Sequence, residues 1–330
     1  MRAVVIARFG GPEVLELRDV ARPEPGTGQV LVRVRATALN RADVIQREGR
    51  YPAPTGWPQD IPGIEFAGEI AECGPDAREW RVGDRVFGLV GGGAYAEYLV
   101  THERTMARIP DRLSWEEAAA IPEAFITAYD ALVTQAGARP SERVLIHAVG
   151  SGVGLAAVQL ARAVGAVPYG TARHQEKLGA ARALGMEEGC VLAEDLGAMA
   201  TRVSEWTGGR GVDVVLDLVG GPYVRASIDA LAVGGRLMLI GTMAGREAEL
   251  PVGQVMSRRI TIRGTTLRAR PLEEKIEVTK AFAAQVVPLF ARGSLRVPID
   301  GVFPLERAAD AHRRLESNLT AGKVVLRVSE

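Results

Sequence analysis

The feature that most constrains the fold is a regular alternation of strand-like and helical segments between residues 143 and 240. Apolar runs there, such as Val212-Asp213-Val214-Val215-Leu216, are nearly continuous, which is typical of strands covered on both faces. The sequence favours strands at 143–149, 167–171, 212–219 and 236–240, and helices at 152–165, 174–184 and 223–233. Repeated βα units of this kind predict a parallel sheet with right-handed crossovers and helices on both faces.

The N-terminal part of the chain has a different pattern. Residues 30–36 alternate, with Val30, Val32 and Val34 on one face, and shorter apolar runs occur at 63–73, 85–90 and 94–100. These runs predict a small β-barrel or sandwich.

Two helices and a final strand are predicted outside the βα repeats. Ser114 and Glu117 form a capping-box pattern that opens a helix predicted to reach about residue 136. A second long helix is predicted over 272–292 and a closing strand over 324–328. We expect the segment from about residue 268 onward to rejoin the first domain.

Composition excludes several classes of protein. The chain has 330 residues, with 40 Lys+Arg and 40 Asp+Glu, so its zero net charge gives no reason to expect a nucleic acid or an anionic membrane surface as partner. No stretch approaches the ~20 apolar residues of a membrane span, and Arg8 ends the N-terminal apolar run, which predicts a first strand and not a signal peptide. Cys73 and Cys190 are interpreted as free thiols, and the cytoplasm is the expected location.

The strongest single motif is a glycine-rich turn between the apolar strand at 144–147 and a helix from Leu155. It reads Ala148-Val149-Gly150-Ser151-Gly152-Val153-Gly154. Glycines let backbone N–H groups approach a pyrophosphate, and a helix N-terminus adds a favourable field for the anion. We therefore predict that residues 150–154 bind a dinucleotide. A tight turn that binds nothing is the alternative, and for Ser151 the alternative is a helix N-cap and no further role.

The next strand indicates which dinucleotide. NAD-specific sites place a carboxylate about 20 residues after the glycines, to bind the ribose 2′-hydroxyl. Here the strand ends at Thr171, followed by Arg173 and, one helical turn later, Lys177. A guanidinium can bind a 2′-phosphate with two hydrogen bonds. The pattern predicts NADPH as cofactor, unless Arg173 and Lys177 are ordinary solvated charges.

The sequence offers no metal-ligand motif. The histidines, His102, His147, His174 and His312, are not spaced with another His, Cys or Glu as metal ligands, and two cysteines cannot form a Cys₄ zinc site. We predict no metal. Without a nucleophile elbow or a catalytic cysteine context, the chemistry is expected to come mostly from the cofactor.

Further motifs lie outside the glycine turn: Ala38-Leu39-Asn40-Arg41-Ala42-Asp43, Pro62-Gly63-x-Glu65-x-x-Gly68 and Ala119-Ala120-Ile121-Pro122-Glu123-Ala124. Together with the turn, they resemble the medium-chain dehydrogenase/reductase superfamily, and more narrowly its zinc-free quinone oxidoreductases of the p53-inducible type. The resemblance implies an α/β fold with a GroES-like β-barrel catalytic domain, residues 1–120 completed by 268–330. A Rossmann domain with a doubly wound parallel sheet would occupy 121–267. It also implies a homodimer, joined along the strand near 260–266.

The resemblance also implies a site. In zinc-dependent members a Cys stands at the position of Asn40, a His at that of Ile64, and the third ligand near Glu123, so the metal would be lost here. The residues that it places around the cofactor are Asn40, Tyr51, Thr127, Gly241, Thr242, Leu267 and Asn318. One departure concerns the adenosine phosphate: related sequences usually carry a tyrosine after the third Rossmann strand, and residues 189–193 contain none.

These features predict an NADPH-dependent quinone oxidoreductase that transfers hydride without a metal. Tyr51 and Asn40 are the candidate catalytic residues, each as a hydrogen-bond donor to the acceptor carbonyl. One alternative is an NADPH-dependent 2-enoyl or alkenal reductase, which must protonate a carbon and therefore depends more strongly on Tyr51. The other is a non-catalytic NADPH-binding protein.

Overall fold

The computed structural model describes residues 1–192 and 196–328, and the chain divides into two compact units. The first unit comprises Met1–Ile126 and Leu267–Glu330, and the second comprises Thr127–Thr266. The first boundary between the two units, after Ile126, therefore lies six residues beyond the boundary predicted at residue 120. The reason is that a π-helical turn, Pro122–Ile126, packs against strands of the first unit.

The strands, in chain order, are β1 (Arg2–Ile6), β2 (Leu15–Asp19), β3 (Gln29–Ala38), β4 (Glu65–Cys73), β5 (Arg85–Leu89), β6 (Tyr98–His102), β7 (Met106–Arg108), β8 (Arg143–Ile146), β9 (Val167–Ala172), β10 (Glu188–Val191), β11 (Val212–Asp217), β12 (Leu231–Leu239), β13 (Thr261–Gly264), β14 (Ile299–Pro304) and β15 (Lys323–Arg327).

The helices, in chain order, are α1 (Arg41–Arg47), α2 (Trp115–Ala119), α3 (Thr127–Tyr129), α4 (Gly152–Ala163), α5 (Gln175–Arg182), α6 (Gly197–Thr207), α7 (Tyr223–Ala230), α8 (Val252–Ser257), α9 (Leu272–Gln285), α10 (Val287–Ala291) and α11 (Ala308–Glu316). Within residues 1–192 and 196–328, none of them combines the length and the apolar character needed to cross a membrane.

The first unit is built on a seven-stranded sheet in the order β14-β15-β3-β4-β5-β7, with β6 also paired to β3. Strand β3 buries Val30, Val32 and Val34 on one face, as the alternating pattern predicts. Strand β15 pairs antiparallel with β3, with Val325 opposite Ala38. The C-terminal segment thus belongs to the first unit.

The second unit carries a six-stranded parallel sheet in the order β10-β9-β8-β11-β12-β13. Numbered along the unit, this is the 3-2-1-4-5-6 order of a Rossmann fold, so the predicted doubly wound sheet is confirmed. The strand order reverses between β8 and β11. In such sheets the ligand crevice lies at the carboxyl ends of the strands at this reversal, and the glycine turn follows β8 there.

Two predicted helices are longer than the observed ones. The helix predicted over 223–233 ends at Ala230, because Leu231 already belongs to β12 and pairs with Val212. The helix predicted over 272–292 is two helices, α9 and α10, separated at Val286. Pro288 lies in the first turn of α10, where proline is tolerated; it could not continue α9, because it lacks the N–H that a helix interior needs.

Candidate active site

A buried ion pair in the first unit joins β15 to β4. The Lys323 ammonium lies 2.6 Å from Glu65 Oε1, and the two side chains are 6% and 0% exposed. Burying two charges costs several kcal/mol per ion unless their remaining bonding capacity is satisfied. Lys323 also donates to Leu39 O at 3.0 Å and to Asn40 Oδ1 at 2.6 Å, and Glu65 Oε2 accepts the backbone N–H of Glu123 at 2.8 Å.

Asn40, a predicted catalytic residue, holds this ion pair in place. Its Nδ2 group donates to Glu65 Oε1 at 2.7 Å and to Ala38 O at 3.3 Å, while its Oδ1 accepts from Lys323. Its backbone N–H donates to Asp43 Oδ2 at the start of α1. Both amide hydrogens of Asn40 are therefore engaged inside the unit.

The residues at the positions of the zinc ligands do not fit a zinc ion. Ile64 is 2% exposed and has no donor atom in its side chain. The amide of Asn40 is bonded to Lys323 and Glu65. Among the residues that the structure describes, no group of three or more His, Cys, Asp or Glu side chains has the geometry of a metal site.

A small pocket that opens to solvent lies in the first unit; its enclosed volume is about 20 Å³, and the space in and around it, open solvent included, is about 420 Å³. Most of its wall is apolar, with polar groups at a few points. The lining residues are Ile64, Leu89, Val90, Thr105, Glu123, Ile126, Leu267, Arg268, Lys275, Val278 and Thr279. The predicted site residue Leu267 is among them, and Glu123 contributes the carboxyl group.

Glu123 has a perturbed acidity that sequence reasoning missed. Burial, followed by the negative charge of Glu65, raises the pKa of Glu123 to about 7; the charge of Asp43 acts in the same direction, and the positive charges of Lys323 and Arg268 oppose the rise. The sequence shows only that Glu123 lies near the position of a lost zinc ligand. Nothing in its local pattern indicates that it faces a cavity beside another carboxylate.

Tyr51 lies beside Arg268, which lines the cavity. The guanidinium carbon of Arg268 is 5.0 Å from the centre of the Tyr51 ring, and its Nη1 donates to Tyr51 O at 3.3 Å. Arg268 is 7% exposed and also donates to Gly91 O and Gln46 Oε1. Burial, and to a smaller extent the charge of Glu123, raises the pKa of Tyr51, and Arg268 opposes the rise. Arg268 is the second functional candidate that the sequence did not reveal.

Asn318 is held by neighbours at the end of α11. It has a left-handed backbone, with φ of 59°. Its Oδ1 accepts from Arg41 at 2.8 Å and its Nδ2 donates to Glu316 O at 3.0 Å. Asn318 is not among the residues that line the cavity.

The glycine turn of the second unit is shaped by close approaches. A Cβ on Gly150 would lie 2.5 Å from Lys177 Cβ, and one on Gly154 would lie 2.6 Å from Val149 O. Ser151 is the N-cap of α4, since its Oγ accepts from Gly154 N at 3.1 Å. The aliphatic stem of Lys177 therefore lies against the turn, close to the N-terminus of α4.

Thr171, predicted to contact the cofactor, has its hydroxyl directed at a buried histidine. Its Oγ1 lies 2.8 Å from His147 Nδ1, and His147 Nε2 lies 2.9 Å from Ser227 Oγ. Because Ser227 donates to Tyr223 O, it accepts from His147, and His147 then accepts from Thr171. Burial lowers the pKa of His147 to about 4, so this histidine is neutral near pH 7.

Among the other predicted residues of the second unit, Thr127 has a buried Oγ1 with no hydrogen-bond partner within the described residues, and a bound group can satisfy it. Arg173 is exposed just after β9. Gly241 and Thr242 follow β12, and Thr242 is exposed. With the glycine turn, these groups fit a dinucleotide. The stretch 189–193, where related sequences usually carry a tyrosine, contains most of β10. Its last residue, Ala193, lies outside the described residues.

The fold and these sites define a two-domain, zinc-free oxidoreductase with a dinucleotide-binding unit. Residues 26–111 match the alcohol dehydrogenase GroES-like domain, and residues 152–284 match the zinc-binding dehydrogenase domain. The chain is 36% identical over 330 residues to a quinone oxidoreductase of Lama guanicoe, which covers 99% of this chain and 97% of the relative.

Solved structures agree with this assignment. A mycobacterial protein complexed with NADPH superposes with a TM-score of 0.90 at 30% identity, covering 99% of this chain and 100% of the other. The quinone oxidoreductase of Escherichia coli, also complexed with NADPH, gives a TM-score of 0.88 at 28% identity with the same coverage. The chain belongs to the quinone oxidoreductase family of the medium-chain dehydrogenase/reductase superfamily.

The buried ion pair can be tested by a double-mutant cycle. Lys323→Met leaves the Glu65 carboxylate buried without its cation, so we expect the free energy of unfolding to fall by about 3–5 kcal/mol at pH 7. In Lys323→Met/Glu65→Gln the carboxylate is neutralised, and we expect more than half of the loss to be recovered. Denaturant unfolding measures both.

Arg327→Met is the matched control, because it removes an exposed pair with Glu116 from the same strand. We expect it to change stability by less than about 1 kcal/mol. Glu65→Gln alone completes the cycle. If the loss of unfolding free energy in the double variant equalled the sum of the losses in Lys323→Met and Glu65→Gln, the two residues would not be coupled.

Proposed function

We propose that the protein is an NADPH-dependent quinone oxidoreductase that reduces its acceptor without a metal ion. The observation that carries this proposal is a mostly apolar cavity whose wall holds Ile64 at a former zinc-ligand position and the carboxyl of Glu123. Hydride addition to a quinone gives an anion stabilised by conjugation, so a Lewis acid is not required. An apolar slot with one or two donors suits a flat conjugated carbonyl compound.

The second unit would hold the cofactor. Bound NADPH supplies the hydride. The backbone N–H groups of Gly152 and Val153, at the N-terminus of α4, would bind the pyrophosphate, and Arg173 and Lys177 would hold the 2′-phosphate. Thr127 supplies its unpartnered hydroxyl. Gly241, Thr242, Leu267 and Asn318 are proposed as further boundaries of the cofactor site.

In the first unit, Tyr51 is the proposed donor to the acceptor carbonyl. Its raised pKa keeps the phenol protonated at neutral pH, and Arg268 fixes the position of its ring. We assign Asn40 to positioning instead of donation, because both of its amide hydrogens are bonded to other groups. Thr171 likewise shapes the turn through Val149, whose N–H donates to Thr171 O.

Arg173→Ala tests the preference for NADPH. Losing a charge-assisted hydrogen bond costs roughly 1.5–3 kcal/mol, so we expect the Kd for NADPH to rise about 10- to 100-fold while the Kd for NADH stays nearly constant. Titration calorimetry measures both constants. Arg182→Ala, at the end of the helix that follows Arg173 and paired with Glu188, is the control and should leave both unchanged. An equal rise in Kd for NADPH and NADH would show that Arg173 does not bind the 2′-phosphate.

Tyr51→Phe separates quinone reduction from the enoyl alternative. One neutral hydrogen bond contributes about 0.5–1.5 kcal/mol, so turnover of an ortho-quinone with NADPH should fall about 10-fold. An enoyl reductase would instead lose most of its activity, because the tyrosine would have to protonate carbon. The assay follows NADPH oxidation with an ortho-quinone and, in parallel, with an enoyl thioester.

Rapid NADPH oxidation with the enoyl thioester, and none with the quinone, would show that the protein is an enoyl reductase and not a quinone reductase. NADPH binding without turnover of either substrate would favour the non-catalytic protein.

We also propose a homodimer formed along β13. Among the described residues, β13 pairs only with β12, so its other edge has unpaired backbone groups. Val233 in β12 and Met256 in α8 are exposed apolar side chains of the second unit that a partner could cover. We expect sedimentation velocity to give a dimer, and Val233→Asp/Met256→Asp to shift it towards monomer. Phe9→Asp, an equally exposed apolar residue of the first unit, should leave the dimer intact.

We propose a cytoplasmic location. Both cysteines, Cys73 and Cys190, are free. Burial raises the pKa of Cys190 to about 11, which keeps it a thiol at neutral pH. Unpaired thiols are typical of proteins in a reducing compartment.

A further inference from the structure

The Glu123 carboxyl has an anchored backbone and an unengaged side chain. Its N–H donates to Glu65 Oε2 at 2.8 Å, within the π-helical turn Pro122–Ile126. Glu123 lines the cavity, and among the described residues its carboxyl has no hydrogen-bond or ion-pair partner. Single π-helical turns occur frequently at functional sites. The turn thus places Glu123 beside the space where we propose that the acceptor binds.

The charged neighbours of Glu123 favour its protonated form. Glu65 is ion-paired with Lys323 and accepts a hydrogen bond from Asn40, and its charge acts on the nearby Glu123. Lys323 is committed to Glu65 and does not contact Glu123. The remaining titratable groups that face Glu123 are Asp43, Tyr51, Arg268 and, across the cavity, Lys275. Burial and the Glu65 charge outweigh the two cations, and the pKa of Glu123 rises to about 7.

We propose that Glu123 is a catalytic residue that protonates the oxygen of the reduced acceptor. The inference rests on the proposed quinone reductase function. Hydride transfer brings two electrons and one proton to the quinone, and the resulting anion needs one more proton to become the hydroquinone. The O–H bond of Glu123 breaks, its electron pair stays on the carboxylate, and a new O–H bond forms on the product. Water entering through the open mouth of the cavity reprotonates Glu123.

Tyr51 is a poorer source of this proton. A tyrosine has an ordinary pKa of ~10, similar to that of a phenolic product, and burial raises it further. Proton transfer from Tyr51 would leave a partly buried phenolate, whereas transfer from Glu123 leaves a more stable carboxylate. We therefore assign orientation of the carbonyl to Tyr51 and delivery of the proton to Glu123.

The test is the pH dependence of kcat with NADPH and a saturating ortho-quinone, measured from about pH 5.5 to about 9. The acid must be protonated, so the wild-type rate should fall as the pH rises through the pKa of Glu123. We expect Glu123→Gln to lower kcat about 100-fold near pH 6 and to abolish this alkaline decline. Glu123→Asp should keep the decline and part of the rate, and Tyr51→Phe should keep the decline at its lower rate.

Glu117→Gln is the matched control, because it removes the same charge from an exposed capping box in the same unit. It should leave the profile unchanged. An unaltered Kd for NADPH in Glu123→Gln will show that the variant is folded. A wild type that reduces quinones, together with a Glu123→Gln variant that keeps both the rate and the decline, would overturn this inference and leave the proposed function intact. A wild type that reduces no quinone would overturn both.

Discussion

The first unit depends on the buried contact between Lys323 and Glu65. It connects β15, the last strand of the chain, with β4, which lies more than 250 residues earlier. A pair so deeply buried persists only because each remaining donor and acceptor is satisfied, here by Leu39, Asn40 and the backbone of Glu123. The same contact therefore closes the sheet, fixes Asn40 and places Glu123 at the cavity.

This arrangement gives a physical account of a site whose residues do not fit a zinc ion. Asn40 supplies a neutral amide that hydrogen-bonds to both members of an ion pair. A side chain that bridges a cation and an anion gains from both bonds and carries no charge to be compensated. Ile64 adds an apolar side chain to the cavity wall. In the proposed function, hydrogen-bond donors and a carboxyl group act without a metal ion.

The sequence predicted the parts of the molecule that local pattern determines. The glycine turn and the N-cap at Ser151 follow from short motifs whose physical requirements are local, and the parallel sheet of the second unit follows from the repeated βα pattern. Helix ends were predicted less well, because the apolar run at 231–233 suits a helix as well as the strand that it joins. The role of Thr171 was also hidden, since it depends on His147, 24 residues away.

Arg268 and Glu123 were missed for a related reason: their function comes from neighbours distant in sequence. Arg268 contacts Tyr51 from 217 residues away, and Glu123 bonds to Glu65 from 58 residues away. A carboxyl group becomes an acid useful near pH 7 when burial or a nearby negative charge raises its pKa, and no local motif encodes either condition. For Glu123, burial is the larger cause, and Glu65 of the ion pair supplies the nearby negative charge. The raised pKa of Glu123 thus depends in part on Glu65, which the contact between β15 and β4 holds in place.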